Sequence, residues 1–584
     1  MSTLLNAPLN AGAEPTGLLW LVHLAEQAMP HLLLAPIVLP LFTAALMLLL
    51  PEERTRIKLA MNLLSTLLGL LLSALLLLWV TGLAGPPGGP ATLGVYLPGN
   101  WPAPFGIVLV LDHLAALMLL LTSVVALASI VFAASRWHRA GVLYHALFQF
   151  QLMGLAGAFL TADVFNLFVF FEIMLAASYG LLLHGSGRAR VQAGLHYIAI
   201  NLAASSLFLI GVSMLYGITG TLNMADLARA IPLVAPGDRG LLHSALGILA
   251  TAFLIKAAVW PLNFWLVPAY NAATAPVGAL FAIMTKVGIY ALLRLWTLLL
   301  GVDAGASAYF GAHWLLGAGM CTMAVAALGM LGSQRITHLA GWAAVLSSAT
   351  LLTAMGWGQE RMTAALLYYL PSSTLAVAAL FLLADLIERW RNDGTRTDAD
   401  DEDAPFLNPE LLPTPGVNLD DDEEVLIGRV IPAATAFLGL AFLGCTLVIA
   451  GLPPLSGFLG KFAMLTALLN PLGLGASTVV SITPLAWGWL ALLIVSGLLA
   501  LLALTRTGMR HFWSAQDRPD PTLRLIEGLP IAALLAACAL MTIYANSVMH
   551  FTEATAQGLH HPAGYIEAVM RAAPVAPTVP EAAP

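Results

Sequence analysis

From residue 32 to 548 the sequence is a succession of apolar runs of about 20 residues, separated by short polar or Gly- and Pro-containing breaks. About 20 residues is what a helix needs to cross a hydrocarbon core roughly 30 Å thick. Inside that core each backbone group must be satisfied within its own segment, so successive runs of this kind are helices. Charged residues make up only 9% of the chain, against about 25% in a soluble domain. The fold class is therefore an all-α polytopic membrane protein. The runs predict about fourteen spans: 32–50, 59–82, 107–134, 141–161, 163–184, 194–218, 241–267, 274–300, 308–332, 336–357, 362–388, 429–468, 483–505 and 527–548. The twelfth is too long for one straight helix and carries Gly451-Leu452-Pro453-Pro454, and the seventh carries Trp260-Pro261, so both are expected to break.

The placement of basic residues orients the chain. Loops after odd-numbered spans hold sixteen Lys and Arg, and loops after even-numbered spans hold three, Arg229, Arg239 and Arg361. The excess marks the cytoplasmic side. Both termini then lie on the side away from the cytoplasm. The first 30 residues hold Glu14 and Glu26 but no Lys or Arg, which predicts no cleaved signal peptide. Between Arg391 and Glu424 lie twelve acids and two arginines. That stretch is a solvated cytoplasmic linker, and it accounts for the acidity of the whole chain.

Only four lysines occur: Lys58, Lys256, Lys286 and Lys461. The last three sit inside apolar runs, where a charge costs roughly 2.5–3.5 kcal/mol even on the lenient insertion scale. Lys256 lies about fifteen residues from the start of its run, roughly 22 Å at the helical rise, too deep to snorkel. A lysine that exchanges protons near neutrality needs its pKa brought from about 10.4 to about 7, a shift within the reach of burial. Arginine holds its proton too tightly for this. Glu172, alone in NLFVFFEIMLAASYGLL, is the natural counter-charge for Lys256. The broken seventh and twelfth spans put free backbone groups, and hence water, beside Lys256 and Lys461.

Weaker signals come from His145, His196 and His338, of which His338, near the start of span ten, leans to proton transfer. Asp112 and Asp163 stand near span ends and read as structural, and Asp385 and Glu388 read as local partners of Arg389. Cys321, Cys445 and Cys538 are scattered, with no CxxC, and are expected to be small buried hydrophobes. No metal-ligand cluster, phosphate loop or nucleophile constellation occurs, and no cofactor or nucleic-acid partner is expected.

Three stretches, DVFNLFVFFEIMLAASYGLLLHG, IKAAVWPLNFWLVPAYNAATAPVGALFAIMTKVGIYALLRL and IAGLPPLSGFLGKFAML, resemble the antiporter-like membrane subunits shared by respiratory complex I and the multisubunit Mrp cation/proton antiporters. The best match is the D type of Mrp subunit, and the acidic insertion is similar to that type as well. The resemblance implies two inverted five-helix repeats, spans 4–8 and 9–13, each with a broken helix. It divides the chain into an N-terminal segment (1–31), peripheral helices (32–140), a first repeat (141–300), the start of a second (301–390), the linker (391–426), the rest of the second (427–506), a last transmembrane helix (507–550) and a tail (551–584). It maps the family's ion-pair glutamate onto Glu172, its first central lysine onto Lys256, its connecting lysine onto Lys286 and its second-half lysine onto Lys461. It further implies a hydrated mid-membrane path and partner subunits. One turn departs from the family pattern: Gln334-Arg335-Ile336-Thr337-His338-Leu339-Ala340-Gly341-Trp342 stands where an acid and two bases are usual, with His338 as the substitute.

These features lead to a proton-translocating subunit of a Na+ or K+/H+ antiporter, a secondary transporter and not an enzyme. The alternatives are a proton-pumping subunit of a complex I-like or membrane hydrogenase redox complex, and a non-transporting scaffold.

Overall fold

The structure, a computed structural model, describes residues 31–82, 93–395, 432–471, 482–512 and 521–574. The N-terminal segment and nearly all of the acidic linker lie outside them. Helices occupy each of the fourteen expected positions. The first four are α1 (Ala35–Leu49), α2 (Thr55–Val80), α3 (His113–Ala133) and α4 (Tyr144–Leu160). They are followed by α5 (Val164–Leu183) and α6 (Arg188–Thr219). Between α2 and α3 a short hairpin pairs β1 (Gly94–Tyr96) antiparallel to β2 (Leu109–Leu111), with Gly94 opposite Leu111. Asp112 then caps α3 by accepting from the Ala115 amide at 2.9 Å, and Asp163 caps α5 through the Asn166 amide at 2.7 Å. Both are ordinary N-cap acceptors.

After α6 the chain forms a short loop helix, α7 (Met224–Ala230), and then reaches the expected break. Helix α8 (Arg239–Lys256) stops at Lys256, Ala258 takes a left-handed φ of 54°, and α9 (Leu266–Ala272) resumes beyond Pro261. A continuous α10 (Ala275–Leu299) follows, with α11 (Ala312–Gly332), α12 (Ile336–Gly356) and the long α13 (Glu360–Thr395). The second break falls where Gly451-Leu452-Pro453-Pro454 places it, between α14 (Ala433–Ala450) and α15 (Ser456–Leu469). Gly451 supplies the left-handed cap at φ 78°, a conformation glycine adopts without a Cβ penalty. The last long helices are α16 (Pro484–Phe512) and α17 (Leu525–Ile543).

The same order of elements thus occurs twice: three continuous helices, a broken one, and a continuous one, over α4–α10 and again over α11–α16. Five crossings separate equivalent elements, so the second unit starts from the opposite face. Helices α10, α12 and α13 are buried almost all round and form the centre, whereas most of α2 faces outward. That outward face is leucine: Leu64, Leu67, Leu68, Leu71, Leu75 and Leu78 are all exposed, the expected surface for contact with lipid.

Residues 551–574 depart from the expected tail. Helix α18 (Ala545–His560) and α19 (Ala563–Met570) continue the chain after α17. Helix α18 is too polar to cross a membrane. It lies against the protein through Thr552, Thr555, Ala556 and Leu559, and His113 of α3 packs on its Phe551, with ring centroids 5.4 Å apart. We call this side the C-terminal face and the opposite one the linker face.

Candidate functional site

The three mid-span lysines are all buried, at 7%, 1% and 7% exposure for Lys256, Lys286 and Lys461. Their partners are neutral. Lys256 is the last residue of α8, and its Nζ donates to Asn201 Oδ1 on α6 at 2.9 Å. Glu172, half-buried on α5, accepts from the Ser205 hydroxyl on the same helix α6. Asn201 and Ser205 are four residues apart and share one face. Lys256 and Glu172 thus each bond to a neutral residue of α6. Among the described residues no ion pair within 4.0 Å joins the two side chains directly.

Lys286, midway along α10, donates to Ser348 Oγ of α12 at 3.1 Å. Gly288, two residues on and so on the opposite side of α10 from Lys286, faces Lys256. A Cβ there would lie 2.8 Å from the Phe253 carbonyl, 2.9 Å from the Ala257 nitrogen and 3.2 Å from Lys256 Cβ. Only a glycine lets the end of α8 sit this close to α10, half a turn from Lys286. Beyond Ser348, hydroxyls continue across the centre. Ser347 of α12 donates to Ser373 of α13 at 2.8 Å, and Ser372 meets Ser456 at the start of α15 at 2.7 Å.

Lys461 closes the series. Its Nζ donates to the carbonyls of Ile449 and Ala450 at 3.1 and 2.9 Å. These are the last carbonyls of α14, which lack intrahelical partners and carry the negative end of the helix dipole. The side chain lies so close over Gly451 that a Cβ there would come within 2.5 Å of Lys461 Cδ. Each broken helix thus brings a lysine to its break, Lys256 at the end of α8 and Lys461 across the gap between α14 and α15.

The remaining sequence candidates are placed as follows. His338 is half-buried at the linker-face end of α12, and no hydrogen bond joins it to another described residue. In the same turn it is Thr337 that bonds inward, its hydroxyl donating to Asn271 Oδ1 of α9 and to Glu388 Oε1 of α13. His145 is buried and meets Asn62 at 3.1 Å, whereas His196 bonds only to Gln192 of its own helix. Lys58 pairs with Glu52 at 2.7 Å. Asp112 is held by Arg294 through two contacts of 2.6 and 2.7 Å.

Two expectations are corrected. Asp385 and Arg389 pair across the structure: Asp385 accepts from Arg136 at 2.7 Å and Arg389 donates to Glu527 at 2.7 Å. One turn of helix puts them side by side in sequence, but each has a nearer opposite charge on another element. Of the cysteines, Cys445 and Cys538 are buried but Cys321 lies on the outward face of α11.

Sequence reasoning missed the neutral members of the line, Asn201, Ser205, Ser347, Ser348, Ser372, Ser373 and Ser456. A signal was there. Three apolar spans each carry a Ser-Ser pair, at 205–206, 347–348 and 372–373, and each pair contributes to this line.

Fold and site together define a class: helical membrane subunits made of two five-helix units, each with a broken helix that presents a buried lysine. The family described as NADH:quinone oxidoreductase/Mrp antiporter, TM, matches residues 161–400. The D subunit of a probable K(+)/H(+) antiporter of Rhizobium meliloti (strain 1021) is 49% identical over 93% of this chain and 98% of its own length. The D subunit of the Na(+)/H(+) antiporter of Bacillus subtilis (strain 168) is 31% identical over 93% of this chain and all of its own. The chain belongs to this family of antiporter D subunits. Among solved structures, a chain of the Mrp complex from Dietzia sp. DQ12-45-1b matches with a TM-score of 0.76, at 24% identity, covering 93% of this chain and 99% of that one. A chain of respiratory complex I from Thermus thermophilus gives 0.69 at 21% identity, covering 91% and 99%. These two share the fold.

Proposed function

We propose that this chain is the proton-conducting subunit of a multisubunit Na+ or K+/H+ antiporter, and that Glu172, Lys256, Lys286 and Lys461 carry the proton. One observation carries the reading: three buried amines, each hydrogen-bonded to neutral partners, with hydroxyl pairs joining α12 to α13 and α13 to α15 in the packed centre. A buried amine whose partners are neutral can lose its proton without stranding an opposite charge. Protonation of Lys256 is favoured while Glu172 is ionised behind Asn201 and Ser205. When Glu172 takes a proton, that support is withdrawn and Lys256 releases its own toward Lys286. The hydroxyl pairs on α12 and α13 bridge Lys286 toward Lys461. His338 at the linker-face end of α12 takes the place of the usual charged turn and loads the second unit.

The basic loops support an orientation with the linker face in the cytoplasm and both termini periplasmic, and the divisions given for the sequence serve as the chain's functional units. The antiporter relatives support assembly with other membrane subunits and coupling to a monovalent cation. The relative that is 49% identical is named for K+, so K+ is the first cation to test. The test is pH-driven exchange in inside-out vesicles carrying the whole complex, with K+, Na+ and Li+ compared. Glu172→Gln and Lys256→Ala are expected to abolish exchange, and His338→Gln to slow it, with assembly retained. Exchange at the wild-type rate in Lys256→Ala would refute the relay.

A further inference from the structure

Three histidines that the proposed relay does not use are buried together at the linker face. His138 lies in the turn between α3 and α4, His145 at the start of α4, and His184 directly after α5. The rings of His138 and His145 are 5.6 Å apart, and the Tyr144 ring packs on those of His145 and His184 at 5.5 and 4.6 Å. The turn they surround is a junction. Its Trp137 carbonyl accepts from His184 Nε2 at 2.8 Å, and the Trp137 indole lies under Arg136 at 4.7 Å and Arg190 at 5.9 Å. Arg136 holds Asp385 of α13 at 2.7 Å. Arg190 of α6 donates from Nε to the Ala272 carbonyl at 2.9 Å. Ala272 is the last residue of α9, the second half of the first broken helix, and its neighbour Asn271 accepts from Thr337 of α12.

The hydrogen bonds fix all three rings as neutral imidazoles. His138 Nδ1 donates to the Ala133 carbonyl at the end of α3, at 3.1 Å, and its Nε2 accepts from Arg139 Nε at 3.2 Å. His184 donates from Nε2, and its Nδ1 faces the Gly141 backbone so closely that a Cβ there would lie 2.9 Å away. His145 Nδ1 accepts from Asn62 Nδ2 at 3.1 Å, because Asn62 Oδ1 is taken by Gln149 and Thr66. No described residue accepts from His145 Nε2. A second proton on any of these rings needs an acceptor. At His138 and His145 it would meet a donor instead. The surrounding charges are cations: Arg139 at His138, Lys58 one turn before Asn62, and Arg190, whose Nη1 lies 2.9 Å from where a Cβ of Gly185 would be. The carboxylates bonded to this turn, Glu52 and Asp385, are engaged by Lys58 and Arg136.

We infer that the turn between α3 and α4 is a pH-sensitive latch: while neutral, His138 and His184 hold Trp137 and Arg190 in place and so fix the linker-face end of α9, and when protonated they release it and slow exchange. Burial pushes the His138 pKa below its ordinary value of 6.5, against a smaller pull from the Ala133 carbonyl, and the Arg139 charge pushes the same way as burial. A histidine with a depressed folded pKa stabilises the closed turn fully above pH 6.5, and that stabilisation is lost as pH falls from 6.5 through the folded pKa. With the linker face in the cytoplasm, the latch is an acid brake. Antiport that brings protons in shuts itself down as the cytoplasm acidifies. The inference rests on the proposed antiport for its output, whereas the opening of the turn is measurable by itself.

The test is exchange in inside-out vesicles carrying the whole complex, where the linker face meets the bath. Bath pH 7.5 and 5.0 are compared with the pH difference across the membrane held constant. Two replacements keep the neutral donors and take no proton: His184→Gln places an amide near Nε2, and His138→Asn places one near Nδ1. One pH unit below its folded pKa, about a tenth of a ring remains neutral. The wild-type rate is therefore expected to fall about tenfold further than that of the double variant, with the two equal at pH 7.5. An equal acid loss in both would overturn the latch. Should the double variant fail to assemble, amide hydrogen exchange of residues 134–143 in the wild-type complex decides. Faster exchange at pH 5.0 than at 7.5, after correction for intrinsic rates, is expected, and equal protection would overturn the latch. Lys256→Ala separates the two readings. Wild-type exchange in that variant refutes the relay and leaves the latch to the pH comparison, whereas lost exchange there with equal acid loss in the other two refutes the latch alone.

Discussion

At the residue scale the point to explain is why the interior amines are lysines. Lys461 touches two carbonyl oxygens at 3.1 and 2.9 Å, and an arginine could satisfy the same acceptors equally well. What arginine could not do is let its proton go, since it stays charged to about pH 12 and above. Lys461→Arg is therefore expected to assemble but to exchange at no more than ~1% of the wild-type rate, the size of loss that follows when a proton-transfer group is removed. The check is vesicle exchange, normalised to the assembled complex. A structural role alone would leave the rate near wild type. The lysines and Glu172 were legible in sequence because a charge in an apolar run is conspicuous. Their immediate partners were not. Asn201 and the serines are common in membrane helices as packing residues, and only the fold shows that Lys256 and Glu172 bond to residues one turn apart on α6.

At the element scale the two breaks were legible from Trp260-Pro261 and Gly451-Leu452-Pro453-Pro454, because proline removes a donor and glycine accepts a left-handed cap. Helix α18 was not legible. Its polar composition suits a tail as well as a surface helix, and what orders it is contact with α13 and α3. One anchor is His560, whose Nε2 meets Thr363 Oγ1 of α13 at 2.9 Å. Burial pushes the His560 pKa below its ordinary value of 6.5, against a smaller opposing pull from Glu360. A histidine with a depressed folded pKa stabilises the docked state fully above pH 6.5, and that stabilisation is lost as pH falls from 6.5 through the folded pKa. The pairs His561–Glu360 and His550–Glu553, at 3.5 and 3.4 Å, are exposed, and exposed pairs contribute only about 0–1 kcal/mol. Hydrogen exchange in the last turns of α18 should therefore be faster at pH 5.5 than at pH 7.5, after correction for intrinsic rates. His560→Gln should remove most of that difference. Equal protection at both pH values in the wild type would contradict the account.

At the scale of the whole molecule, charges hold the peripheral helices to the paired five-helix units. Arg136 joins the turn after α3 to Asp385 of α13, and Arg389 of α13 joins Glu527 of α17. Arg294 of α10 joins Asp112, the cap of α3. The sequence shows these residues at span ends but not their pairing, because the partners are 249, 138 and 182 residues apart. The Arg294–Asp112 bridge is the most enclosed from the arginine side, with 7% and 16% side-chain exposure. Arg294 also lies 5.7 Å over the Tyr290 ring and 5.4 Å over that of Tyr565 in α19. It therefore fastens α3, α10 and the chain end at one point. Removing one member of such a pair leaves the other buried and uncompensated, at a cost of about 3–5 kcal/mol, whereas replacing both with neutral groups is often far cheaper. Arg294→Met should thus lower the detergent melting temperature markedly and detach α19. Adding Asp112→Asn, which keeps an acceptor for the Ala115 amide, should recover most of the loss. If the double variant melts no higher than Arg294→Met alone, the cost lies in the lost stacking on Tyr290 and Tyr565, and the bridge is not what holds the peripheral helices.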